Sequence, residues 1–304
     1  MAKIRIGTRG SKLAMWQAEW VSGQLTQRGH EVELSIIATH GDVSSASLSQ
    51  VGGQGLFTKE IQRELWLGQI DVAVHSLKDL PTVPVEGLVL AAVPERETTQ
   101  DCLLSRQGLS FEELPSGATV GTGSSRRAAQ LLAWRSDIAI KDIRGNVDSR
   151  IRKMEEGRYE AIVLAAAGLT RLKLQSHITQ FLPQSRILPA IGQGALGLEC
   201  RSDDFATLEA LEQLNHAPSF AAVSAERELL SSLLAGCLAP VAALALVSGS
   251  EQLELTAAVF SIDGRQAIRA VMAGSMEQAK VLGREVAQEL IQQGADELIA
   301  AARR

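Results

Sequence analysis

The sequence predicts an α/β chain that closes in a small α+β domain. Two patterns carry this. Over the first two-thirds, strand-like and helix-like segments alternate, as they do in a parallel sheet with crossover helices. Beyond Ser219 that alternation stops, and a helix, three strand-like runs and a last helix follow. At 304 residues the chain is also too long for one ordinary core, which calls for two or three domains.

Taken in order, residues 4–7 read as a short strand. Ser11 then precedes a helix with Leu13, Trp16, Trp20 and Leu25 on roughly one face. Residues 33–38 are a second strand. Ile70, Asp71, Val72, Ala73 and Val74 form a third, running into His75, Ser76, Leu77, Lys78 and Asp79. Between these two, residues 41–57 are rich in Ser and Gly without periodicity, which suggests a functional lid or a disordered loop. Prolines 81, 84, 94 and 115 punctuate the passage to a second α/β unit. There, 119–122 feeds a helix over 125–135, 141–144 feeds a helix over 147–157, and 160–165 is a further strand. After Pro189, the run Gly192-Gln193-Gly194-Ala195-Leu196-Gly197 is a connection able to return the chain to the first unit.

The C-terminal part begins with a helix over 219–234, ended by Gly236. In the second strand that follows, Leu253, Leu255, Ala257 and Val259 alternate with Glu254, Thr256 and Ala258. Asp263-Gly264 signals a hairpin turn. A helix with Ala279, Leu282, Val286 and Leu290 on one face closes the chain.

Composition narrows the function classes. The chain is 45% hydrophobic and 21% charged, as globular proteins are. No apolar run approaches the roughly 18 residues needed to span a bilayer. The first six residues alternate like a strand and lack the apolar stretch of a signal peptide, so the expected location is the cytoplasm. Cys102, Cys200 and Cys237 are odd in number and form no CxxC pair, which argues against a disulfide framework and a metal site. Residues 121–173 hold 11 Lys/Arg against 6 Asp/Glu in a chain of net charge −5. One basic stretch in an acidic protein points to an anion binder. With aromatics at 4%, no stacking platform for nucleic acid is expected.

The chemistry-bearing residues sit at strand ends. In Gly121-Thr122-Gly123-Ser124-Ser125-Arg126-Arg127 a strand, small residues and a helix start form an anion site through free N–H groups and the helix dipole. Arginine adds bidentate binding of carboxylate or phosphate. The bland alternative is a capped helix with two solvated arginines. There is no GK[ST] and no dinucleotide fingerprint. Arg144 with Gly145 and Asn146 repeats the arrangement, Arg150 lies in the helix beyond, Arg171 follows the third strand, and Arg9 with Ser11 follows the first strand of the chain. Each alone is commonly a surface charge, but cations at successive strand ends would point into one crevice. At roughly 1.5–3 kcal/mol per charge-assisted hydrogen bond, five or six would hold a polyanion firmly. Asp79 is the carboxylate among them, suited to stabilising a cationic intermediate; the bland reading is a Lys-Asp turn. Cys237, just after a helix C-terminus, reads as a buried structural thiol, as do Cys102 and Cys200.

Several motifs occur in order: Thr8-Arg9-Gly10-Ser11, Val74-His75-Ser76-Leu77-Lys78-Asp79-Leu80-Pro81, Val120 through Arg127, Ile143-Arg144-Gly145-Asn146, Ala190-Ile191-Gly192-Gln193-Gly194-Ala195 and Gly236-Cys237. Together they resemble the hydroxymethylbilane synthase, or porphobilinogen deaminase, family over essentially the whole chain. The resemblance implies two doubly wound, periplasmic-binding-protein-like domains, 1–95 with 190–214 and 96–189, plus a small α+β C-terminal domain over 215–304. It implies a monomeric transferase that deaminates four porphobilinogen molecules and joins them head to tail into hydroxymethylbilane. A dipyrromethane cofactor, held by a thioether at Cys237, would be the primer. Asp79 would be catalytic. Lys78, Ser124, Arg126, Arg127, Arg144 and Arg150 would bind the cofactor, and Arg9, Ser11, Lys59 and Arg171 the substrate. The resemblance replaces the structural reading of Cys237, because a weakly activated thiol suffices against a reactive azafulvene.

Gln54 stands where the family usually has Lys, Gly123 where it has Ser, Ala235 where it has Gly, and Leu238 where a more polar residue is usual. The competing class is a non-catalytic anion-binding module, which would need neither Asp79 nor Cys237. A phosphoryl-transfer enzyme ranks behind both, for want of a P-loop lysine and metal carboxylates.

Overall fold

Strand β1 (Lys3–Thr8) pairs in parallel with β2 (Glu31–Ile36) and β3 (Val72–Ser76), so three successive strands of the first sheet point one way. A computed structural model of the chain describes residues 3–38, 58–235, 239–249 and 251–303. The expected lid over 41–57 with Gln54, and Gly236, Cys237 and Leu238, lie outside the described residues. The chain divides into two compact units, Met1–Glu97 with Gly194–Ala221, and Thr98–Gln193 with Ala222–Arg304.

In the first unit α1 (Lys12–Gln27) and α2 (Lys59–Trp66) are the crossover helices, and the sheet order is β2-β1-β3-β10-β4. Strands β4 (Leu88–Ala92) and β10 (Leu196–Arg201) were not foreseen; β10 runs antiparallel to both β3 and β4. The expected return of the chain after Pro189 is therefore made by a strand inserted into the sheet. Ser11 caps α1 as expected, its hydroxyl accepting the Ala14 N–H at 3.3 Å. The buried face of α1 is Gln17, Ala18, Val21 and Leu25, with Trp16 and Trp20 only half-buried. Small residues let the helix approach the sheet closely, and the bulky indoles stay at its margin. Strand β3 is buried on both faces from Val72 to His75, which explains its unbroken apolar run.

The second unit repeats this order with different strands: β7 (Ala139–Lys141), β6 (Thr119–Gly121), β8 (Ala161–Ala165), β5 (Asp101–Ser105) and β9 (Gln180–Phe181). Again the first three run parallel and the fourth is antiparallel. Helices α3 (Ser125–Trp134), α4 (Val147–Glu155) and α5 (Ala166–Arg171) follow β6, β7 and β8. Strand β7 is shorter and earlier than the sequence suggests, so Arg144 stands in a loop.

After α6 (Phe205–Glu212) and α7 (Ala217–Ser232) comes a three-stranded antiparallel sheet of β11 (Val241–Ser248), β12 (Gln252–Phe260) and β13 (Ala267–Ser275). It is covered by α8 (Ala279–Gln292), whose Ala279, Leu282, Val286 and Leu290 are buried as the pattern predicts. A short α9 (Ala295–Ala301) follows. In β12 the expected alternation fails at Ala258, which is buried with Phe260 against Ala129 of α3, Leu188, Ala242 and Leu244. The C-terminal sheet thus shares a core with the helix that carries Arg126 and Arg127. Gly264, at φ +71°, makes the expected hairpin turn, and a Cβ there would strike the Ala129 carbonyl of α3. Its lack of a side chain permits both the turn and the docking. The architecture is thus mixed α/β, two sheet-and-helix halves and a small three-stranded α+β part.

Candidate active site

In the first unit the residues of interest gather where parallel strands end. The register pairs Ile6 with Val72 and Gly7 with Ala73, so Arg9 and the turn after Ser76 lie at one edge of the sheet. That turn is a single 3-10 turn, Leu77–Asp79. Leu77 anchors it, buried, with its N–H on the Ala195 carbonyl at 3.0 Å. Lys78 and Asp79 are exposed, between buried Leu77 and buried Leu80. Gln17 of α1 bonds Ser76 at 2.9 Å and fixes the end of β3. Lys59 is exposed at the N-terminus of α2.

Behind the turn lies a buried polar cluster that sequence reasoning missed. Glu199 of β10 accepts both from Gln62 of α2, at 3.0 and 3.1 Å, and from His75 Nε2, at 3.1 Å. All three are less than a tenth exposed. One side chain, Glu199, therefore ties α2, β3 and β10 together.

In the second unit Ser124 caps α3, its hydroxyl accepting the Arg127 N–H at 3.4 Å, while Thr122 Oγ1 accepts the Ser124 N–H at 3.2 Å. Neither arginine beyond the cap is solvated. Arg126 is 5% and Arg127 6% exposed. Both are held by Asp101, itself wholly buried: Arg126 Nη2 donates to Oδ2 at 2.7 Å, and Arg127 Nε and Nη2 donate to Oδ1 at 3.1 and 2.7 Å. Gln193 adds a donor to Oδ1 at 2.9 Å. Asp101 begins β5. Because β5 runs antiparallel to β8, with Asp101 opposite Ala165, its first residue reaches the edge where β6 and β8 end. Burial would raise the Asp101 carboxyl, but the two guanidiniums outweigh it and hold it well below the usual carboxylate range.

Arg126 Nη1 bonds the Leu188 carbonyl and Arg127 Nη1 the Val163 carbonyl. Arg126 Nε is buried without a hydrogen-bond partner among the described residues. Two guanidiniums against one carboxylate leave this buried group with a net positive charge. Such a charge with spare donor capacity is chemically able to take up a further anion.

The other arginines are carried by segments that follow the neighbouring parallel strands. The register of β6 with β7 sets Gly121 beside Lys141, so the loop carrying Arg144 leaves from the same edge. Arg144 is half-buried, its Nε on Asp142 at 3.1 Å. Arg150 of α4 donates to the Gly145 carbonyl at 2.6 Å. Arg171 ends α5 and is buried. Gly123 belongs to this packing, since a Cβ there would lie 2.9 Å from Asp142 Oδ1 and 3.1 Å from the Ile143 carbonyl. A serine at this position would crowd Asp142, an exposed residue whose carboxylate pairs with Arg144.

Glu226 of α7, fully buried, accepts the Gly192 N–H at 2.7 Å and the Ala245 N–H at 2.9 Å. It joins the loop bearing Gln193 to β11, the first strand after the segment containing Cys237. Cys102 and Cys200 are buried thiols, as expected, and burial pushes both up to about 12. Among the described residues no group of His, Cys, Asp and Glu could hold a metal ion, and no helix is long and apolar enough to cross a membrane.

Comparison with known proteins agrees with this arrangement. Residues 4–209 match the family model described as the porphobilinogen deaminase, dipyrromethane cofactor binding domain. Residues 220–292 match the porphobilinogen deaminase C-terminal domain. The porphobilinogen deaminase of Brevibacillus brevis is 47% identical over 303 residues, covering 99% of this chain and 97% of its own. That of Trichlorobacter lovleyi is 49% identical over 295 residues, covering 96% and 94%. Among solved structures, an ancestral arginine-binding protein bound to arginine aligns with a TM-score of 0.39 and 17% identity over 70% of this chain and 90% of its own. On the family models and the extent of these identities, the chain belongs to the porphobilinogen deaminase family.

Proposed function

We propose that this chain is a hydroxymethylbilane synthase, deaminating four porphobilinogen molecules and joining them head to tail into a linear tetrapyrrole. The observation that carries the reading is the edge of the second sheet, where Arg126 and Arg127 form a buried group of net positive charge with Asp101 and the segments bearing Arg144, Arg150 and Arg171 follow the neighbouring strands. Each pyrrole unit bears an acetate and a propionate, so a growing chain is a polyanion, and a set of guanidiniums is the chemistry that retains it. The dipyrromethane fits these residues: its carboxylates match the excess cation, and among the described residues Arg126 Nε is a buried donor without an acceptor.

When bound, the dipyrromethane supplies the primer on which the chain is built. Cys237 is proposed to anchor it by a thioether. Lys78, Ser124, Arg126, Arg127, Arg144 and Arg150 hold its carboxylates, and Arg9, Ser11, Lys59 and Arg171 orient incoming substrate. Asp79, on its rigid turn and open to solvent, stabilises the positive charge that develops on the pyrrole as ammonia leaves, and takes up the proton released at the new carbon–carbon bond. A water-filled alternative to Asp79 would have to reorganise at each step, whereas a carboxylate fixed by Leu77 does not. The three-domain division over 1–95 with 190–214, 96–189 and 215–304, and a cytoplasmic monomer, complete the proposal.

The reading is tested by incubating purified protein with porphobilinogen and following ammonia and tetrapyrrole together. Four ammonia per linear tetrapyrrole are expected. Porphobilinogen bound and returned unchanged would favour an anion-binding module instead.

A further inference from the structure

Asp101 is out of place if affinity for anions were the only requirement. It is a fully buried carboxylate inside a carboxylate-binding group, and it takes hydrogen bonds from both arginines and from Gln193. An Asn in its place could accept from one guanidinium and leave both positive charges for the ligand. Burying a carboxylate is costly unless it is paired, and here the pairing consumes donors that a ligand would otherwise use. The charge of Asp101, beyond its capacity to accept hydrogen bonds, therefore has a consequence for binding.

We infer that Asp101 is an internal stand-in for a ligand carboxylate, a positioning residue that fixes Arg126 and Arg127 and cancels one of their two charges so that bound carboxylates are held and then released. Two features place it in this role. Its strand runs antiparallel to β8, which delivers its side chain to the ligand-presenting edge. Among the described residues the group it completes still has a buried donor without an acceptor, Arg126 Nε, so the site is balanced short of saturation. For a chain that grows by successive additions, a site with both guanidinium charges free would retain each carboxylate too long. The inference rests on the proposed function for its biological sense, but its physical content is a statement about carboxylates alone.

The probe is sodium propionate, with sodium chloride at equal ionic strength as the control, on the wild-type chain and Asp101→Asn. In Asp101→Asn the vacated charge leaves two buried guanidiniums short of an anion. Its melting temperature should rise by several degrees in propionate over chloride, with no comparable rise in wild type. On the cofactor-loaded proteins, kcat for ammonia release should be about tenfold lower in the variant with KM no higher, the effect of roughly 1.4 kcal/mol on letting each carboxylate go. If Asp101→Asn is recovered folded only in propionate, that also supports the stand-in role. A folded variant without propionate-specific stabilisation, recovery in neither salt, or a kcat equal to that of wild type overturns it. Wild-type protein that carries no pyrrole mass and releases no ammonia would sink the functional reading while leaving the propionate comparison to decide the role of Asp101.

Discussion

Glu199 Oε2 lies 3.1 Å from His75 Nε2, both side chains buried, four residues before Asp79 along the chain. The contact joins β10 to β3 where the sheet ends. It makes the position of the exposed Asp79 a property of the core instead of its own loop. Removing the carboxylate as Glu199→Ala leaves Gln62 and His75 without their shared acceptor. A destabilisation of about 3–5 kcal/mol is expected from breaking such a buried charged group, read by chemical denaturation. Glu199→Gln, which keeps one acceptor, should lose clearly less. Equal stability of Glu199→Ala and wild type would contradict the assignment.

Asp79 itself bears no such structural duty. Asp79→Asn should fold with stability within about 0.5 kcal/mol of wild type, as exposed positions usually do. Ammonia release should fall by about 10²–10⁴-fold, the usual contribution of a positioned acid or base. Parallel melting curves and turnover assays check both halves.

Arg144 and Arg150 are the accessible members of the cationic edge, so their loss should be felt in binding before folding. Either changed to Ala removes one charge-assisted contact to the cofactor, about 1.5–3 kcal/mol, and should lower the fraction of purified chains that carry the dipyrromethane mass, with KM for porphobilinogen little changed in the chains that keep it. Raised salt during cofactor loading should act in the same direction. Full cofactor loading of both variants would remove them from cofactor binding.

The acid limb of stability should owe part of its shape to Asp71. Its carboxylate takes two side-chain hydrogen bonds from Arg5, at 2.9 and 2.7 Å, and one from Arg201 at 3.2 Å. Burial pushes its carboxyl up, but Arg5 and Arg201 outweigh this and hold it below the ordinary 3.8. A carboxyl lowered in the folded state stabilises above its unfolded value, and that contribution is lost as pH falls through the folded value. Asp71→Asn should therefore be less stable than wild type at neutral pH, and the gap should close below about pH 4. A gap that widens in acid would reverse the sign and refute the argument.

Gly264 gives a test of how the C-terminal sheet docks on α3. Gly264→Ala places a Cβ on a left-handed residue, φ +71°, against the Ala129 carbonyl. A loss of more than about 1 kcal/mol is expected. The same change at Gly294, also at positive φ but with nothing within 4 Å of the added Cβ, should cost less.

Much of this was legible in the sequence because it is local. The run through Val72, Ala73 and Val74 to Asp79, the small residues before Arg126, and the alternation from Leu253 to Ala257 each depend on neighbours a few residues apart. What escaped depends on distance along the chain. Asp101 lies 25 residues from Arg126, and Glu199 lies 124 from His75. Both are carried by antiparallel strands inserted into otherwise parallel sheets, an insertion no local period announces. The burial of Arg126 and Arg127 escaped for a similar reason. It follows from Asp101 and from the packing of Ala258 and Phe260 on α3, more than a hundred residues downstream.

The central claim is that this chain works as a polymerising transferase on a covalently held dipyrromethane. Intact-mass measurement of protein purified from a host that makes porphobilinogen tests it most directly. The wild-type chain should be heavier than its sequence by two pyrrole units, and Cys237→Ser should lack that mass. A folded wild-type chain at its bare sequence mass would contradict the account.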